Sequence, residues 1–378
     1  MSRAEGTQAS SSSAYKRAGV DYETLDAGKR EAIAAALSTS GLLEARGARA
    51  LDDSRGATAF VFELAGERLA FVVEGLGTKS IIAREVHERL GINRFADVAY
   101  DTVAAILGDL CCVGALPLVV SAYFATGSSE WYREQARASA LLEGWRSACV
   151  DARCAWAGGE SPSLRGLVNE REIELAGSAI GVIPRDVEPI LGERLGAGDE
   201  IVLVASSGLH ANGASLARLV AQGLPDGYAS ALPSGRSLGE ALLDPSIMYA
   251  PLVASLLQRG LVPTYLSHIT GHGLLKLMRS PRALTYRLSE LPAVPEVLSF
   301  LVEHARLSAN AAYSTFNMGA GFAVYCPAGD GPRVLEVAAD LGLHAALGGV
   351  VEEGPRQVLL EPVNIRYTGD ELQLGGSA

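Results

Sequence analysis

Two short apolar segments, each followed by a glycine-rich joint and an amphipathic stretch, constrain the fold of this chain most strongly. In the first half, residues 68–73 (RLAFVV) have the β-branched and aromatic composition of a buried strand, and the joint EGLGTKS leads into helical apolar spacing over residues 81–90. In the second half, the strand-like residues 200–205 (EIVLVA) lead through SSGLHANG into a helix that begins near Asn212. This alternation predicts an α/β or an α+β fold.

The chain is long enough for two domains of similar size, and Pro, Gly and charged residues cluster at a boundary near residues 184–198. In the first half we expect further strands over residues 117–124, 154–157 and 173–183, and helices over residues 101–113 and 129–150. In the second half we expect one long helical region over residues 238–260, strands over residues 322–326 and 357–362, and a helix over residues 333–341.

The net charge of −11 disfavours a non-specific nucleic-acid binder, which needs positive charge to displace phosphate counterions, but it permits a small phosphorylated ligand. Residues 1–14 are polar and Ser-rich and lack the apolar core of a signal peptide, so we expect a disordered tail. The longest apolar stretch, residues 103–120, is interrupted by Asp109, Gly114 and Pro117 and does not suit a membrane span. The five cysteines fit no zinc spacing and indicate buried thiols in a reducing cytoplasm.

The joint in the second half carries Ser207, Gly208, His210, Asn212 and Gly213 between a strand end and a helix start. Free N–H groups and the dipole at a helix start attract an anion, and glycine lets the backbone approach a phosphate closely. We interpret this loop as a candidate phosphate site. The alternative is an ordinary strand–helix turn in which Asn or Ser caps the helix.

The joint EGLGTK in the first half has the same placement but lacks the spacing of a Walker A loop. Glu74 at the strand end could hold Mg²⁺, and Lys79 could meet a phosphate as a point charge. The alternative is a solvated carboxylate followed by Thr78 as a helix cap.

Two further acids lie where they could reach a common cleft. Asp109 sits in the apolar segment AAILGDLCCVGA, where a carboxylate is costly unless it is paired or bound to a metal, although a place on an amphipathic helix face is equally compatible. Glu160 follows two glycines at a strand end. The segment SHITGHGLLKL carries His268, Thr270 and Gly271, and its Thr-Gly pair favours a substrate loop over a helical zinc site.

In this order, these segments resemble the aminoimidazole ribonucleotide synthetase (phosphoribosylformylglycinamidine cyclo-ligase) family. The matching pieces extend over almost the whole chain: YKRAGVDYE at Tyr15, EGLGTK at Glu74, GDLCCVGALPLVVSAYFATG at Gly108, AGGES at Ala157, GDEIVLVASSGLHANGASLAR at Gly198, SHITGHGLL at Ser267 and TFNMGAGF at Thr315. No single piece is decisive, but their order and spacing are specific.

The resemblance implies an N-terminal ATP-binding domain over residues 15–184, whose sheet pairs across a homodimer into a β-barrel, and a C-terminal α+β domain over residues 185–378. It also implies a ring closure that uses ATP and Mg²⁺. ATP phosphorylates the formamide oxygen of formylglycinamidine ribonucleotide, an internal nitrogen attacks the activated carbon, and phosphate leaves. Such a reaction depends mainly on positioning and charge neutralisation.

By position, the resemblance assigns roles to residues of every motif. The implied metal ligands are Glu74, Asp109 and Glu160. The implied nucleotide site adds Gly75, Gly77, Thr78 and Lys79 to these acids. The implied substrate residues are Ser207, Gly208, His210, Asn212, Gly213, Thr270 and Gly271. The implied catalytic residues are Lys79, His210 and His268.

The chain departs from the family pattern at Glu74, where Asp is usual, at Gly108, where Asn is usual, and at His272, where Gly is usual. A GGFG segment of the family is also replaced by DDSRGATAFVFELAGERL. Two alternative functions therefore stand beside the cyclo-ligase. One is a related ATP-dependent phosphotransferase on another substrate, and the other is a non-catalytic nucleotide-binding homodimer.

Overall fold

The computed structural model describes residues 22–372, so the predicted disordered tail over residues 1–14 lies outside the described part of the chain. Within residues 22–372 the strands form a six-stranded and a seven-stranded sheet. The first sheet contains β1 (Ala48–Ala50), β2 (Phe60–Leu64), β3 (Glu67–Gly75), β4 (Leu116–Thr126), β5 (Ala155–Glu160) and β6 (Ile173–Ile183). The second contains β7 (Glu200–Ala205), β8 (Tyr265–His268), β9 (Leu284–Leu288), β10 (Ala320–Cys326), β11 (Ala345–Glu353), β12 (Gln357–Leu360) and β13 (Ile365–Thr368).

The first sheet has the strand order β1-β2-β3-β6-β4-β5 and is antiparallel except between β4 and β5. Its helices are α1 (Tyr22–Leu37), α2 (Lys79–Leu90), α3 (Phe95–Cys111) and α4 (Gln135–Asp151). Residues of β6 alternate strictly between buried and half-buried, as expected for a strand with one covered face. The covered face meets α3 and α4, because a side-chain carbon at Gly177 would lie 2.9 Å from Ile106 and 3.1 Å from Trp145.

The opposite face of this sheet is apolar and is not covered by any described element. Phe71 and Val73 on β3 are 39% and 62% exposed, and Tyr123 on β4 is 38% exposed. The ladders place Phe71 opposite Ile180 of β6, so these side chains share one face. A contiguous apolar face on a soluble protein commonly marks an interface.

The second sheet has the order β13-β12-β9-β11-β7-β10-β8, and all residues of β10 are buried. Its helices are α5 (Ala214–Gly223), α6 (Leu238–Leu242), α7 (Ala250–Gln258), α8 (Glu296–His304), α9 (Ala309–Thr315) and α10 (Gly331–Asp340). The first sheet and its helices precede the second in the chain, and the connecting residues run from 184 to 199. Two mixed layers of helices and sheets confirm the α+β class.

The prediction of one long helix over residues 238–260 is wrong. The structure has two short helices, α6 and α7, separated by residues 243–249. Pro245 explains the break, because proline cannot donate an intrahelical hydrogen bond and disfavours helical geometry at the preceding residue. The helix predicted over residues 101–113 begins six residues earlier, at Phe95, and ends at Cys111.

No helix in the described residues 22–372 is long and apolar enough to cross a membrane. All five cysteines are free thiols. Four of them are buried and Cys154 is partly buried, which agrees with the expectation of buried apolar thiols.

Candidate active site

The two glycine-rich joints of the sequence meet where the two halves of the chain come together. The first joint connects β3 to α2 and carries Thr78, and the second connects β7 to α5. The hydroxyl oxygens of Thr78 and Ser215, in the first turn of α5, lie 2.9 Å apart. The structure therefore places the start of α5, with its free N–H groups, beside the first joint.

Asn317 holds the second joint in its conformation. Its side-chain nitrogen donates to the carbonyl oxygen of Gly208 at 2.8 Å, and its side-chain oxygen accepts from the hydroxyl of Ser206 at 2.8 Å. The same oxygen accepts from the N–H of Gly319 at 3.0 Å, and Asn317 is buried. The sequence analysis used TFNMGAGF only as a match to the family and did not predict this positioning role, for which the local signal is an Asn close to two glycines.

Gly213 ends this joint in a conformation that requires glycine. Its φ is 95°, and a side-chain carbon there would lie 2.6 Å from the ring of Phe316. The chain can therefore turn directly into α5 beside Asn212, which is half-buried.

His210 is buried inside the second joint, with φ of 58°. Its Nε2 accepts from the N–H of Ser207 at 3.1 Å, while the hydroxyl of Ser207 donates to the carbonyl oxygen of Pro245 at 2.6 Å. Burial lowers the pKa of His210 to about 3, and the charges of Lys79 and His268 add to this effect. The imidazole is therefore neutral near pH 7 and stabilises the loop, while its predicted catalytic role stays a prediction.

Asp109 and His268 form a buried pair between the two halves of the chain. Asp109 lies in the last turn of α3 and His268 ends β8, and Nδ1 of His268 lies 2.9 Å from Oδ1 of Asp109. Burial would raise the pKa of Asp109, but the hydrogen bond from His268 and the charges of Lys276 and Arg279 hold it below its ordinary value. A carboxylate can only accept, so Nδ1 of His268 donates and Nε2 keeps its lone pair in the neutral ring.

Because Gly108 has no side chain, it leaves room for the ring of His268. A side-chain carbon at Gly108 would lie 2.6 Å from Cε1 of that ring. Asn is the usual family residue at this position, and its side chain would occupy the space that the imidazole fills here.

Lys276 adds a cation to this region. Burial, together with the charge of Arg279, lowers its pKa to about 8, although the charges of Asp109 and Glu74 oppose the shift. Lys276 lies in a short 3₁₀ helix, Gly273–Met278, that follows the segment with Thr270, Gly271 and His272. Thr270 and Gly271 are half-buried, and His272 has φ of 71°. The charges of Glu74, Asp109 and Lys276 are thus close enough to influence one another.

Lys79 does not present its ammonium to this region. It is fully buried, and its Nζ lies 2.5 Å from Oδ2 of Asp101, which is also fully buried. The other oxygen of Asp101 accepts from the N–H of Ser246 at 2.6 Å. The pair therefore joins the two halves of the chain, and a direct phosphate contact by Lys79 stays a prediction that its burial does not favour.

Glu160 is not brought to the other two acids. It ends β5, three strands away from β3 in the order β3-β6-β4-β5, which is about 14 Å at the usual strand spacing. Within residues 22–372, no three His, Cys, Asp or Glu side chains are grouped closely enough to hold a metal ion. A site made of Glu74, Asp109 and Glu160 is therefore not formed within one chain.

Two family models match the chain. Residues 56–183 match the N-terminal domain of AIR synthase related proteins, and residues 196–360 match their C-terminal domain. The phosphoribosylformylglycinamidine cyclo-ligase of Methanobrevibacter smithii is 29% identical over 345 residues, which cover 90% of this chain and 95% of that protein. The enzyme of the same name from Clostridium botulinum is 30% identical over 357 residues, which cover 92% of this chain and 99% of that protein.

Solved structures share the fold. A thiamine-monophosphate kinase from Stenotrophomonas maltophilia superposes with a TM-score of 0.56 at 22% identity, covering 80% of this chain and 88% of that one. The hydrogenase maturation protein HypE in complex with ATP superposes with a TM-score of 0.56 at 18% identity, covering 79% of this chain and 83% of that one. At these identities the likeness concerns the fold alone.

Proposed function

The chain belongs to the AIR synthase related protein family, as its motifs predicted, and on this premise we propose that it is an ATP-dependent cyclo-ligase. The reaction would convert formylglycinamidine ribonucleotide to aminoimidazole ribonucleotide. Relatives that carry the cyclo-ligase name match over most of both chains, and the prediction of a ligase enzyme is confirmed at that level. The observations that support the specific proposal are the contact of the two joints at Thr78 and Ser215 and the buried pair of Asp109 and His268, which joins the same two halves of the chain.

The region around this pair is continuous with the second joint. The ring of Tyr249 lies 6.2 Å from the rings of both His210 and His268. Its hydroxyl donates to the carbonyl oxygen of Ala205, the last residue of β7. A ligand held by the backbone of the second joint would therefore lie near the Asp109–His268 pair.

In the proposed reaction the formamide oxygen bonds to the γ-phosphorus of ATP, the bond between the γ-phosphorus and the β-phosphate oxygen breaks, and ADP leaves. The internal nitrogen then bonds to the formamide carbon, the C–O bond breaks, and phosphate leaves while the nitrogen loses a proton. His268 is suited to take this proton at Nε2, because Nδ1 donates to Asp109 and the carboxylate stabilises the imidazolium that forms. The free N–H groups at the start of α5 are suited to hold the phosphate oxygens.

Mg²⁺ fits this region through its oxygen donors. A nucleotide-bound Mg²⁺ commonly takes only one or two protein carboxylates, and Glu74 and Asp109 are the carboxylates whose charges act on Lys276. When bound, the ion would neutralise charge on the transferred phosphoryl group.

The homodimer is part of the same proposal. The uncovered apolar face with Phe71, Val73 and Tyr123 suits pairing with the same face of a second copy, which would close the implied barrel. A cytoplasmic location fits the five free thiols.

The test is incubation of the full chain with ATP, Mg²⁺ and formylglycinamidine ribonucleotide, followed by an assay for the aminoimidazole. We expect product from the wild type and a loss of about 10²-fold or more in kcat for Asp109→Asn, because the base at His268 loses its partner. Asp340→Asn is the matched control, since Asp340 is an exposed acid paired only with Arg259. Absence of product from a folded chain that binds MgATP would contradict the cyclo-ligase.

A phosphotransferase is the second candidate. The departures from the family pattern at Gly108 and His272 favour it, and the kinase that shares the fold supplies a substrate to test. Incubation with ATP and thiamine monophosphate separates the two, since thiamine diphosphate forms only under the second proposal. A chain that binds MgATP and yields neither product would favour the non-catalytic homodimer.

A further inference from the structure

A cavity of about 1090 Å³ lies apart from the two joints. It forms where residues 52–58, which precede β2, meet residues 279–282 and residues 369–372. Four arginines line it: Arg55, Arg279, Arg282 and Arg356. Neither the motifs of the sequence nor the proposed reaction assigns a role to this cavity.

Arg356 is fixed in the wall by carbonyl oxygens. Its Nε donates to Met278 at 2.9 Å and to Ser280 at 3.1 Å. Its Nη1 donates to Gly369 at 3.2 Å and to Leu372 at 3.1 Å. The guanidinium is thus held rigidly, and its position does not depend on a bound ligand.

Arg55 and Arg279 are held in a similar way. Nη2 of Arg55 donates to the hydroxyl of Ser40 at 3.1 Å, and its guanidinium lies 4.0 Å from the ring centre of Phe60. Nη2 of Arg279 donates to the carbonyl oxygen of Gly56 at 3.0 Å. Each contact leaves the other nitrogens of the guanidinium group available.

Two of these arginines have buried donors that nothing satisfies. Nε of Arg55 and Nη2 of Arg356 are buried and have no hydrogen-bond partner. In the part of the chain that the structure describes, Arg55, Arg279 and Arg356 hydrogen-bond to carbonyl oxygens and one hydroxyl, and none of these partners is a carboxylate. Half-buried cations that donate to no carboxylate keep part of their desolvation cost, so the wall is suited to an anion.

Carboxylates also line the cavity, but they lie on its solvent side. Asp52, Asp53, Glu193 and Asp370 are all exposed, whereas Arg55, Arg279 and Arg356 are half-buried. The inner wall is therefore positive. The remaining wall is apolar at Ile33, Leu37 and Ile190 and can cover the uncharged part of a ligand.

The cavity backs onto the end of α3 that carries Asp109. Thr58, on the cavity wall, donates its hydroxyl to the carbonyl oxygen of Asp109 at 2.6 Å, and Cys112 lies on the same wall. The charge of Arg279 acts on both Asp109 and Lys276. A ligand anchored in the cavity could therefore extend toward the Asp109–His268 pair.

We propose that this cavity binds the phosphate monoester of a phosphorylated ribose through Arg55, Arg279 and Arg356. Guanidinium groups bind phosphate oxygens with paired N–H donors, which would satisfy the two orphaned nitrogens. The anion specificity follows from the arginines, and only the choice of a ribose phosphate rests on the proposed function. The phosphate end of the substrate then lies in this cavity, and the joint over residues 206–213 is left for the phosphoryl group supplied by ATP.

The test measures the binding of ribose 5-phosphate, ribose, inorganic phosphate and MgATP to the full chain by calorimetry. We expect the wild type to bind ribose 5-phosphate more tightly than inorganic phosphate and not to bind ribose. Arg55→Gln and Arg279→Gln should each raise the Kd of ribose 5-phosphate at least tenfold, about 1.4 kcal/mol. Arg55→Gln should leave the Kd of MgATP unchanged. Arg333→Gln is the matched control, since Arg333 is an exposed arginine paired only with Asp330.

Several outcomes overturn the proposal. They are no binding of ribose 5-phosphate, an unchanged Kd in both variants, equal affinity for inorganic phosphate, or an equal loss of MgATP binding, which would assign the cavity to the nucleotide. Thermal unfolding without ligand checks the fold of each variant. If a glutamine variant unfolds, Arg55→Lys replaces it, and the same loss of affinity is expected because a point charge cannot reproduce the paired donors.

The proposal and the proposed function can fail separately. A chain that makes no aminoimidazole but binds ribose 5-phosphate with this arginine dependence refutes the cyclo-ligase and keeps the cavity assignment. A chain that makes aminoimidazole with unchanged KM in both arginine variants keeps the cyclo-ligase and refutes the cavity.

Discussion

Replacing Lys79 by methionine tests whether its ammonium joins the two halves of the chain or contacts a phosphate. Lys79 and Asp101 are fully buried and their charged atoms lie 2.5 Å apart. Methionine nearly preserves the length of the side chain but removes the charge. The carboxylate of Asp101 would then remain buried with only the N–H of Ser246 as its partner.

The expected cost is large relative to the stability of a folded protein. Removing one partner of a buried ion pair costs about 3–5 kcal/mol, because the remaining charge keeps its desolvation penalty and loses its counter-charge. Native proteins have a free energy of unfolding of only about 5–15 kcal/mol. We expect Lys79→Met to lower it by about 3–5 kcal/mol. The double variant with Asp101→Asn should recover most of this loss, since asparagine still accepts from Ser246 and carries no charge.

Urea unfolding followed by tryptophan fluorescence measures the free energy, and calorimetry under folding conditions measures the Kd of MgATP. The matched control is Arg333→Met, whose exposed pair with Asp330 should contribute less than about 1 kcal/mol. A loss of less than about 1 kcal/mol for Lys79→Met, or a double variant as unstable as the sum of the single ones, would refute the structural reasoning. An unchanged stability combined with weaker MgATP binding would support the phosphate contact that the sequence predicted.

Three further outcomes follow. Gly108→Ala would place a methyl group 2.6 Å from the ring of His268. We therefore expect kcat in the cyclo-ligase assay to fall about 10²-fold and the Kd of MgATP to stay unchanged. An unchanged kcat would contradict this prediction. His210, whose pKa burial lowers to about 3, takes up a proton on unfolding below its ordinary pKa of 6.5, so the free energy of unfolding falls as pH drops from 6.5 toward 3. His210→Gln should flatten this slope in urea titrations, and an unchanged slope would contradict this assignment. Val73→Asp puts a charge on the uncovered sheet face, so light scattering should report a monomer in place of the proposed dimer, and a persistent dimer would contradict that interface.

The local sequence pattern was sufficient to predict the bounds of elements whose ends are set by neighbouring residues in the chain. The strands over residues 173–183 and 200–205 have the predicted bounds, because segments rich in apolar residues end at Pro184 and at the Ser-Gly joint. The stop of α2 at Gly91 also follows from local chemistry, since Gly91 has φ of 70° and its N–H donates to the carbonyl oxygen of His87.

Local pattern failed where a partner lies far along the chain. Lys79 follows a glycine-rich joint, which suggests a phosphate contact, but Asp101 on the next helix satisfies its charge. The burial of Asp109 was foreseen as costly, yet its partner His268 is 159 residues away and no sequence spacing predicts that meeting. Glu160 shows the converse, because its motif matches the family while its strand lies at the far edge of the sheet.

The turn over residues 244–246 limits how this protein can be recombined. Its three consecutive residues each make a hydrogen bond to a distant part of the chain. The carbonyl oxygen of Asp244 accepts from the ammonium of Lys79, and the carbonyl oxygen of Pro245 accepts from the hydroxyl of Ser207. The N–H of Ser246 donates to the carboxylate of Asp101. A chimera that joins the first half of this chain to the second half of a relative keeps these contacts only if the relative's turn offers the same two carbonyl oxygens and the same N–H. A fragment cut at the linker would expose the charged pair of Lys79 and Asp101 to water at the surface that contacts the second half.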